Sequence, residues 1–171
     1  MNRKLTLWIV FILGAGVMLA LDLWLKIWSE TNQVMLRQDR PYIINGFLGM
    51  TYFENSGAAF GLAGGFAWSQ VVLSIVKTLL LLGVLWYYHR LSQLLEKKYW
   101  LVRIPVIMIF AGGVGNLFDR ITLGVVRDML EFLFVNFAIF NLADVFVVAG
   151  VISWGIFDVF IVKHLSGTPS E

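Results

Sequence analysis

The chain has 171 residues, of which 59% are hydrophobic and only 14% charged; an ordinary soluble domain carries roughly 45–50% apolar and about 25% charged residues, so a purely water-solvated globule is excluded. The formal net charge of +2 comes without any lysine-rich or arginine-rich run, which leaves nucleic acid no electrostatic footprint. There is no cysteine, hence no disulfide, thiolate nucleophile or cysteine metal site, and the two histidines form no His-Glu-x-x-His zinc motif.

The first apolar run covers about 5–25 and follows Arg3 and Lys4. Its roughly twenty residues are what a helix rising 1.5 Å per residue needs to cross ~30 Å of hydrocarbon. It leads straight into Asp22 and Lys26 without a small-residue cleavage site, so it reads as a retained anchor and not as a cleaved signal peptide. A long polar-and-apolar segment follows, from about Lys26 to Phe66. Within it Tyr42-Ile-Ile, Asn45-Gly46 and Phe47 to Phe53 predict two short strands joined at an Asn-Gly turn, a dipeptide that tolerates the positive φ of a tight hairpin.

Three more apolar runs, at about 67–88, 99–118 and 139–162, complete four spans with no repeat or low-complexity tract between them. Arg3 and Lys4 precede the first span, Arg90, Lys97 and Lys98 separate the second from the third, and Lys163 follows the fourth. By the positive-inside rule both termini and the middle loop are cytoplasmic. The expected fold class is therefore an all-α membrane protein, a single domain over 1–171 with four transmembrane helices and a small sheet on the outer surface. Near the inner interface, Arg103 is expected to meet Asp158, or Asp158 to meet Lys77, since pairing reduces the cost of buried charges.

Asp22 lies about 26 Å along the axis from Leu5, close to the outer interface. The third span carries Asn116, Asp119 and Arg120 to the same level, the fourth begins there with Asn141 and Asp144, and the short outer loop holds Asp128 within reach. Several of these residues have a structural reading. Asp22 and Lys26 form an i, i+4 pair at a helix end; Asp119 and Arg120 suit an interfacial ion pair; Asn116 and Asn141 satisfy backbone groups where helices begin or break. Gly112, Gly113 and Gly115 let the third span pack closely on a neighbour. Phe132, Leu133, Phe134, Val135 and Phe137 form either a lid dipping into lipid or an apolar loop packed on the helices.

Asp128 and Asp144 are different, because ionisable groups at the edge of hydrocarbon are expensive and mark working sites. Two carboxylates brought together share a proton, and that is the state an aspartic protease uses: the ionised member draws a proton from water while the protonated one polarises the carbonyl. Spacing alone leaves the proton-relay carboxylates of a small transporter as an alternative, although inverted-repeat halves are absent. A noncatalytic four-span scaffold has no use for two interfacial aspartates. Ser74 and Lys77, at i, i+3, suggest a serine-lysine protease, but Lys77 is expected near mid-span, far from the outer interface.

In order, Asp22-Leu-Trp-Leu-Lys26, Asn55-Ser-Gly-Ala-Ala-Phe60, Gly112-Gly-Val-Gly-Asn-Leu-Phe-Asp-Arg120, Gly124-Val-Val-Arg-Asp128 and Phe140-Asn-Leu-Ala-Asp144 resemble the motifs of the lipoprotein signal peptidases, or signal peptidase II. The resemblance spans most of the chain. It implies a bacterial inner or plasma membrane endopeptidase that removes the signal peptide of diacylglyceryl-modified prolipoproteins just before the lipidated cysteine. It further implies Asp128 and Asp144 as the catalytic dyad and Asn55, Gly57, Asn116, Arg120 and Asn141 as residues that order the site or bind substrate. Asp22, Lys26 and Asp119 match structural supports, and Tyr42 to Phe60 matches a small extracytoplasmic β-cradle. No cofactor or metal is implied; the partners are the lipidated prolipoprotein and membrane lipid, and a monomer is expected. The chain departs from the family pattern at Leu23, where glutamine is common, and at Arg127, where an apolar residue often stands. Arg127 is expected to set a cation beside Asp128 and favour its ionised form.

Overall fold

The computed structural model describes residues 3–56, 69–94, 101 and 103–166. In chain order the elements are α1 (Arg3–Thr31), α2 (Gln33–Asp39), β1 (Tyr42–Ile44), β2 (Leu48–Asn55), α3 (Ser69–Leu94), α4 (Arg103–Leu123), β3 (Val126–Phe132) and α5 (Leu142–Ser166). The protein is thus mostly helical with one three-stranded antiparallel sheet, ordered β1-β2-β3. Two stretches, Leu5–Thr31 and Arg103–Leu123, are long and apolar enough to cross a bilayer, and Leu142–Phe157 is a shorter apolar helix. Ile12, Leu13, Val17 and Trp24 of α1 and Val148, Val151 and Ile152 of α5 are exposed. Apolar surface this continuous is not left to water in a soluble monomer.

Helix α4 is the centre, packed against α1, α3 and α5. Its glycines explain how close the neighbours come. A Cβ at Gly112 would sit 2.2 Å from the carbonyl oxygen of Ala143, one at Gly113 would meet Leu81 of α3 at 2.7 Å, and one at Gly115 would meet the Asp22 carboxylate at 2.5 Å. The small-residue face read in the sequence therefore lets three neighbours approach the α4 backbone. One end of this bundle is filled by Phe11, Val106, Ile107, Ala111 and the fully buried Tyr88. The Tyr88 hydroxyl donates to the Leu7 carbonyl at 2.8 Å, so the burial leaves no bare phenol.

The predicted hairpin is present. Gly46 takes φ 71° and the Phe47 N–H returns to the Ile44 carbonyl at 3.0 Å, closing the turn between β1 and β2. The third strand is a departure from the sequence reading, which left Asp119 to Ala138 as a loop. Helix α4 instead runs on to Leu123, where Gly124 at φ 74° donates to the Arg120 carbonyl and ends it. Residues Val126–Phe132 then pair with β2, Phe53 opposite Asp128 and Asn55 opposite Val126. Arg127, Asp128 and Glu131 hid this strand, because a strand buried on both faces shows no polar-apolar alternation. Helix α1 likewise continues past Leu25 to Thr31: hydropathy falls at Asp22 and Lys26, but the helix does not stop. Short α2 was not anticipated either; it ends at Arg40, left-handed at φ 42°, whose guanidinium pairs with Glu131 of β3.

The expected contact of Asp158 with Arg103 or Lys77 falls on a side chain outside the described residues; Arg103 itself is buried at the start of α4. Because the obstacle at Gly112 is a backbone carbonyl, Gly112→Ala should destabilise the bundle by about 1–3 kcal/mol through overpacking. A lower unfolding temperature in detergent checks this, with Gly16→Ala, which meets nothing within 4 Å, as the neutral control.

Candidate active site

The site is built on the first turn of α5, a place where backbone N–H groups lack intrahelical partners. Asn141 precedes the helix, and its Oδ1 accepts the N–H of Asp144 at 2.9 Å while the Asp144 carboxylate accepts the N–H of Asn141 at 3.2 Å. This is a capping box, here made from asparagine and aspartate, and it fixes the Asp144 carboxylate by local sequence alone. A second cap comes from far away: Asp22 Oδ1 on α1 accepts the Ala143 N–H at 2.8 Å. The Gly112 and Gly115 contacts described above give α5 the room to settle there.

Two asparagines then join the carboxylates. Asn141 Nδ2 donates to Asp128 Oδ1 at 2.6 Å and to Asn116 Oδ1 at 2.9 Å, and Asn116 Nδ2 donates to Asp144 Oδ1 at 2.7 Å. On the sheet side Asn55 Nδ2 donates to Asp128 Oδ2 at 3.0 Å. Asp128 and Asp144 are thereby held by one amide chain although they arrive on a strand and a helix.

Behind them lies a buried ionic cluster. The Lys26 ammonium reaches Asp22 at 2.9 Å, Asn116 Oδ1 at 3.1 Å and Asp119 at 3.4 Å, all with negligible exposure. Asp119 also receives Arg127, through its backbone N–H at 3.1 Å and its guanidinium at 2.7 Å, and Arg127 extends to Glu30 at 2.7 Å. Side chains alternate along a strand, so Arg127 and Asp128 leave β3 on opposite faces. The expectation that Arg127 lies beside Asp128 and favours its charge is therefore corrected: the guanidinium is turned to Asp119 and Glu30. Asp119 correspondingly takes Lys26 and Arg127 as its ionic partners, while its sequence neighbour Arg120 faces the cavity. Burial above all, reinforced by the Asp144 charge, pushes the Asp128 carboxyl up to about 7, and the amides of Asn55 and Asn141 offset only part of this.

A cavity of about 630 Å³ opens over these groups. Asn55, Asn116, Arg120, Asp128 and Asp144 line its polar end, Val145, Val148, Ala149 and Ile152 continue it down α5, and Phe132, Phe137 and Phe140 stand at its side. Those three rings contact one another, and Phe132 also meets Phe47 and Phe134. Of the residues singled out from sequence, Asn55, Asn116, Arg120, Asp128, Asn141 and Asp144 converge, and Asp22, Lys26 and Asp119 form the support; Gly57 lies outside the described residues. Three residues gained roles that the sequence reading missed. Glu30 was legible as the next step of an Asp22, Lys26, Glu30 series at four-residue spacing. Arg127 had no sequence signal for its partners. Lys77, expected near mid-span and far from the outer interface, lines the same cavity.

Outward apolar helices and a cavity lined by two aspartates beneath a small sheet describe a membrane-embedded protein with a candidate hydrolytic site. A family model described as signal peptidase (SPase) II matches residues 14–161, and the chain belongs to that family. The lipoprotein signal peptidase of Streptococcus pneumoniae is 37% identical over 121 residues, 71% of this chain and 74% of its own. That of Streptococcus pyogenes serotype M5 is 36% identical over 143 residues, 84% and 88% of the two chains. A bacterial membrane enzyme solved in meso at 2.3 Å resolution superposes with a TM-score of 0.74 at 25% identity, covering 95% of this chain and 93% of that one. A second, at 1.9 Å resolution, gives 0.57 at 20% identity over 90% and 95% and shares the fold.

Two outcomes are expected from the support and the carboxyl. Lys26→Met leaves Asp22 and Asp119 buried beside an apolar side chain, at a cost of about 3–5 kcal/mol, so the yield of folded protein should collapse. For Asp128 the folded chain keeps a proton that the unfolded chain loses between 3.8 and about 7, so its stabilising contribution is full below 3.8 and is lost as pH rises through about 7. The melting temperature of Asp128→Asn relative to the parent should therefore climb from pH 4 to about pH 7 and level off above it; a constant offset would contradict the raised carboxyl.

Proposed function

We propose that the chain is an intramembrane aspartic endopeptidase that removes the signal peptide of diacylglyceryl-modified prolipoproteins, with Asp128 and Asp144 as its dyad. The observation that carries this is the amide chain Asn55, Asn141 and Asn116, which holds two carboxylates of different environment at one end of an apolar cavity. Substrate class follows from the family and from the lipoprotein signal peptidases it resembles.

Within the dyad the two roles separate. Asp144 sits in the first turn of α5, where the helix dipole favours negative charge, and accepts two N–H groups. Asp128 is the carboxyl that burial keeps protonated to about pH 7. Asp144 is then the base that takes a proton from water, and Asp128 the acid that donates a hydrogen bond to the scissile carbonyl as the oxyanion develops. Arg120, lining the same cavity, adds positive potential near that oxyanion. Collapse of the tetrahedral intermediate returns a proton to the leaving amine, and the dyad is restored.

The four apolar segments cross the membrane with both termini cytoplasmic, which puts the sheet and the dyad at the outer face of a bacterial inner or plasma membrane. There a substrate anchored by two acyl chains presents its scissile bond. The apolar wall of α5 and the Phe132, Phe137 and Phe140 rings receive lipid as well as peptide, and the enzyme works as a monomer without cofactor.

Incubation of the purified protein with a diacylglyceryl-modified prolipoprotein, read as a shift in product size, tests the whole reading; an intact substrate would refute it. Asp128→Asn and Asp144→Asn should each reduce turnover by about 10²-fold or more while leaving a folded, inserted protein. The double variant should be little worse, because the two residues act as a unit. The pH-rate profile should be bell-shaped, with activity falling on the alkaline side near pH 7 as the pair loses its shared proton. Asp22→Asn and Asp119→Asn should lower the yield of folded protein more than its turnover. Unlipidated prolipoprotein should be cut far more slowly than the lipidated form.

A further inference from the structure

Lys77 is a cation in the cavity wall to which the proposed chemistry gives no task. It stands on α3, within the Ser69–Leu94 helix, and lines the cavity together with Asp128 and Asp144. Arg120, Asp144, Lys26 and Asp128 all lie within its electrostatic range, but among the described residues no carboxylate is at ion-pair distance from it. Ser74, its nearest candidate co-catalyst, is not among the cavity-lining residues, and the Ser74–Lys77 pairing gains nothing from this geometry.

The cavity has a direction. From Asp144 the lining residues Val145, Val148, Ala149 and Ile152 descend α5 by about two turns, roughly 12 Å at 1.5 Å per residue. Along that trench the α5 wall offers no side-chain hydrogen-bond donor. A peptide bond presented to two carboxylates must be extended, so a signal helix has to unwind before it, and the last turn of any helix leaves four carbonyls without N–H partners. Bare carbonyls in a hydrocarbon setting are costly. An ammonium with three N–H donors on the wall of the trench meets that need, and a cation also suits the negative end of a helix.

We propose that Lys77 is a substrate-positioning residue whose ammonium donates to carbonyl oxygens of the lipopeptide in the trench. Those oxygens belong to the unwound end of the signal helix or to the esters of the diacylglyceryl group. The proposal rests on the aspartic endopeptidase reading, and its test separates the two. Binding of a fluorescent diacylglyceryl lipopeptide spanning the cleavage site is measured on Asp144→Asn protein, so that the affinity is read without turnover. Adding Lys77→Met should weaken binding by about tenfold or more, the worth of a lost charge-assisted hydrogen bond, and Lys77→Arg should restore most of it. In protein that keeps Asp144, Lys77→Met should raise KM by a similar factor while kcat and the pH optimum hold. Replacing a half-buried lysine by an apolar side chain removes a desolvated charge, so melting temperature should not fall; Lys77→Gln, which keeps a donor, should bind between the parent and the methionine variant.

A dialkyl ether lipopeptide distinguishes the two sources. If the Lys77→Met penalty persists, the carbonyls are the peptide's; if it vanishes, they are the esters'. Unchanged affinity and KM in a folded Lys77→Met protein would overturn the proposal. So would a displaced pH profile with unchanged affinity, since that would make Lys77 a modulator of the carboxylates. Failure of the Lys77-intact, Asp144-intact protein to cleave would refute the endopeptidase reading, while the binding comparison would still decide on Lys77.

Discussion

The buried ammonium of Lys26 is the interaction on which the rest of this structure depends. It touches oxygens from two elements, Asp22 of its own helix and Asn116 and Asp119 of α4, within 3.4 Å and out of contact with solvent. Each of those oxygen-bearing groups has a second duty: Asp22 caps α5, Asn116 holds Asp144, and Asp119 anchors Arg127 and with it β3. Two buried anions, Asp22 and Asp119, face two buried cations, Lys26 and Arg127, so the cluster is neutral before Glu30 is added at its half-exposed edge. Such a cluster is weak evidence for net stability, because well-packed apolar residues often do as well. Its strength is directional, since an apolar core does not dictate which turn of α5 faces which turn of α4.

The sequence was most informative where composition and local rules act alone. Apolar runs mark the helices, Asn45-Gly46 marks the hairpin, and the motifs mark residues that converge on the cavity, because each is a short-range signal. It was least informative where polar residues are buried. The sequence cuts helix α1 short at Leu25, since Asp22, Lys26 and Glu30 look like a surface segment until their partners on α5, α4 and β3 are known. Strand β3 is hidden for the same reason: Asp128, Glu131 and Arg127 meet groups 73, 91 and 97 residues away, and no window along the chain contains those partners. The place of Lys77 in the cavity is not legible from its depth along α3, because the cavity descends beside α5 to meet it.

Asn141 places a constraint on motion. The one side chain donates to Asp128 on the sheet, accepts from Asp144 on α5, and also donates to Asn116 on α4. Any hinge that lifted the sheet away from the helices would have to break these bonds, and would dismantle the pair of carboxylates in doing so. Motion costs less at the Phe132, Phe137 and Phe140 rings, which line the cavity and touch one another through apolar contacts that can slide without leaving a polar group unpaired. The polar side of the cavity is thus pinned by one amide while its aromatic side is left compliant.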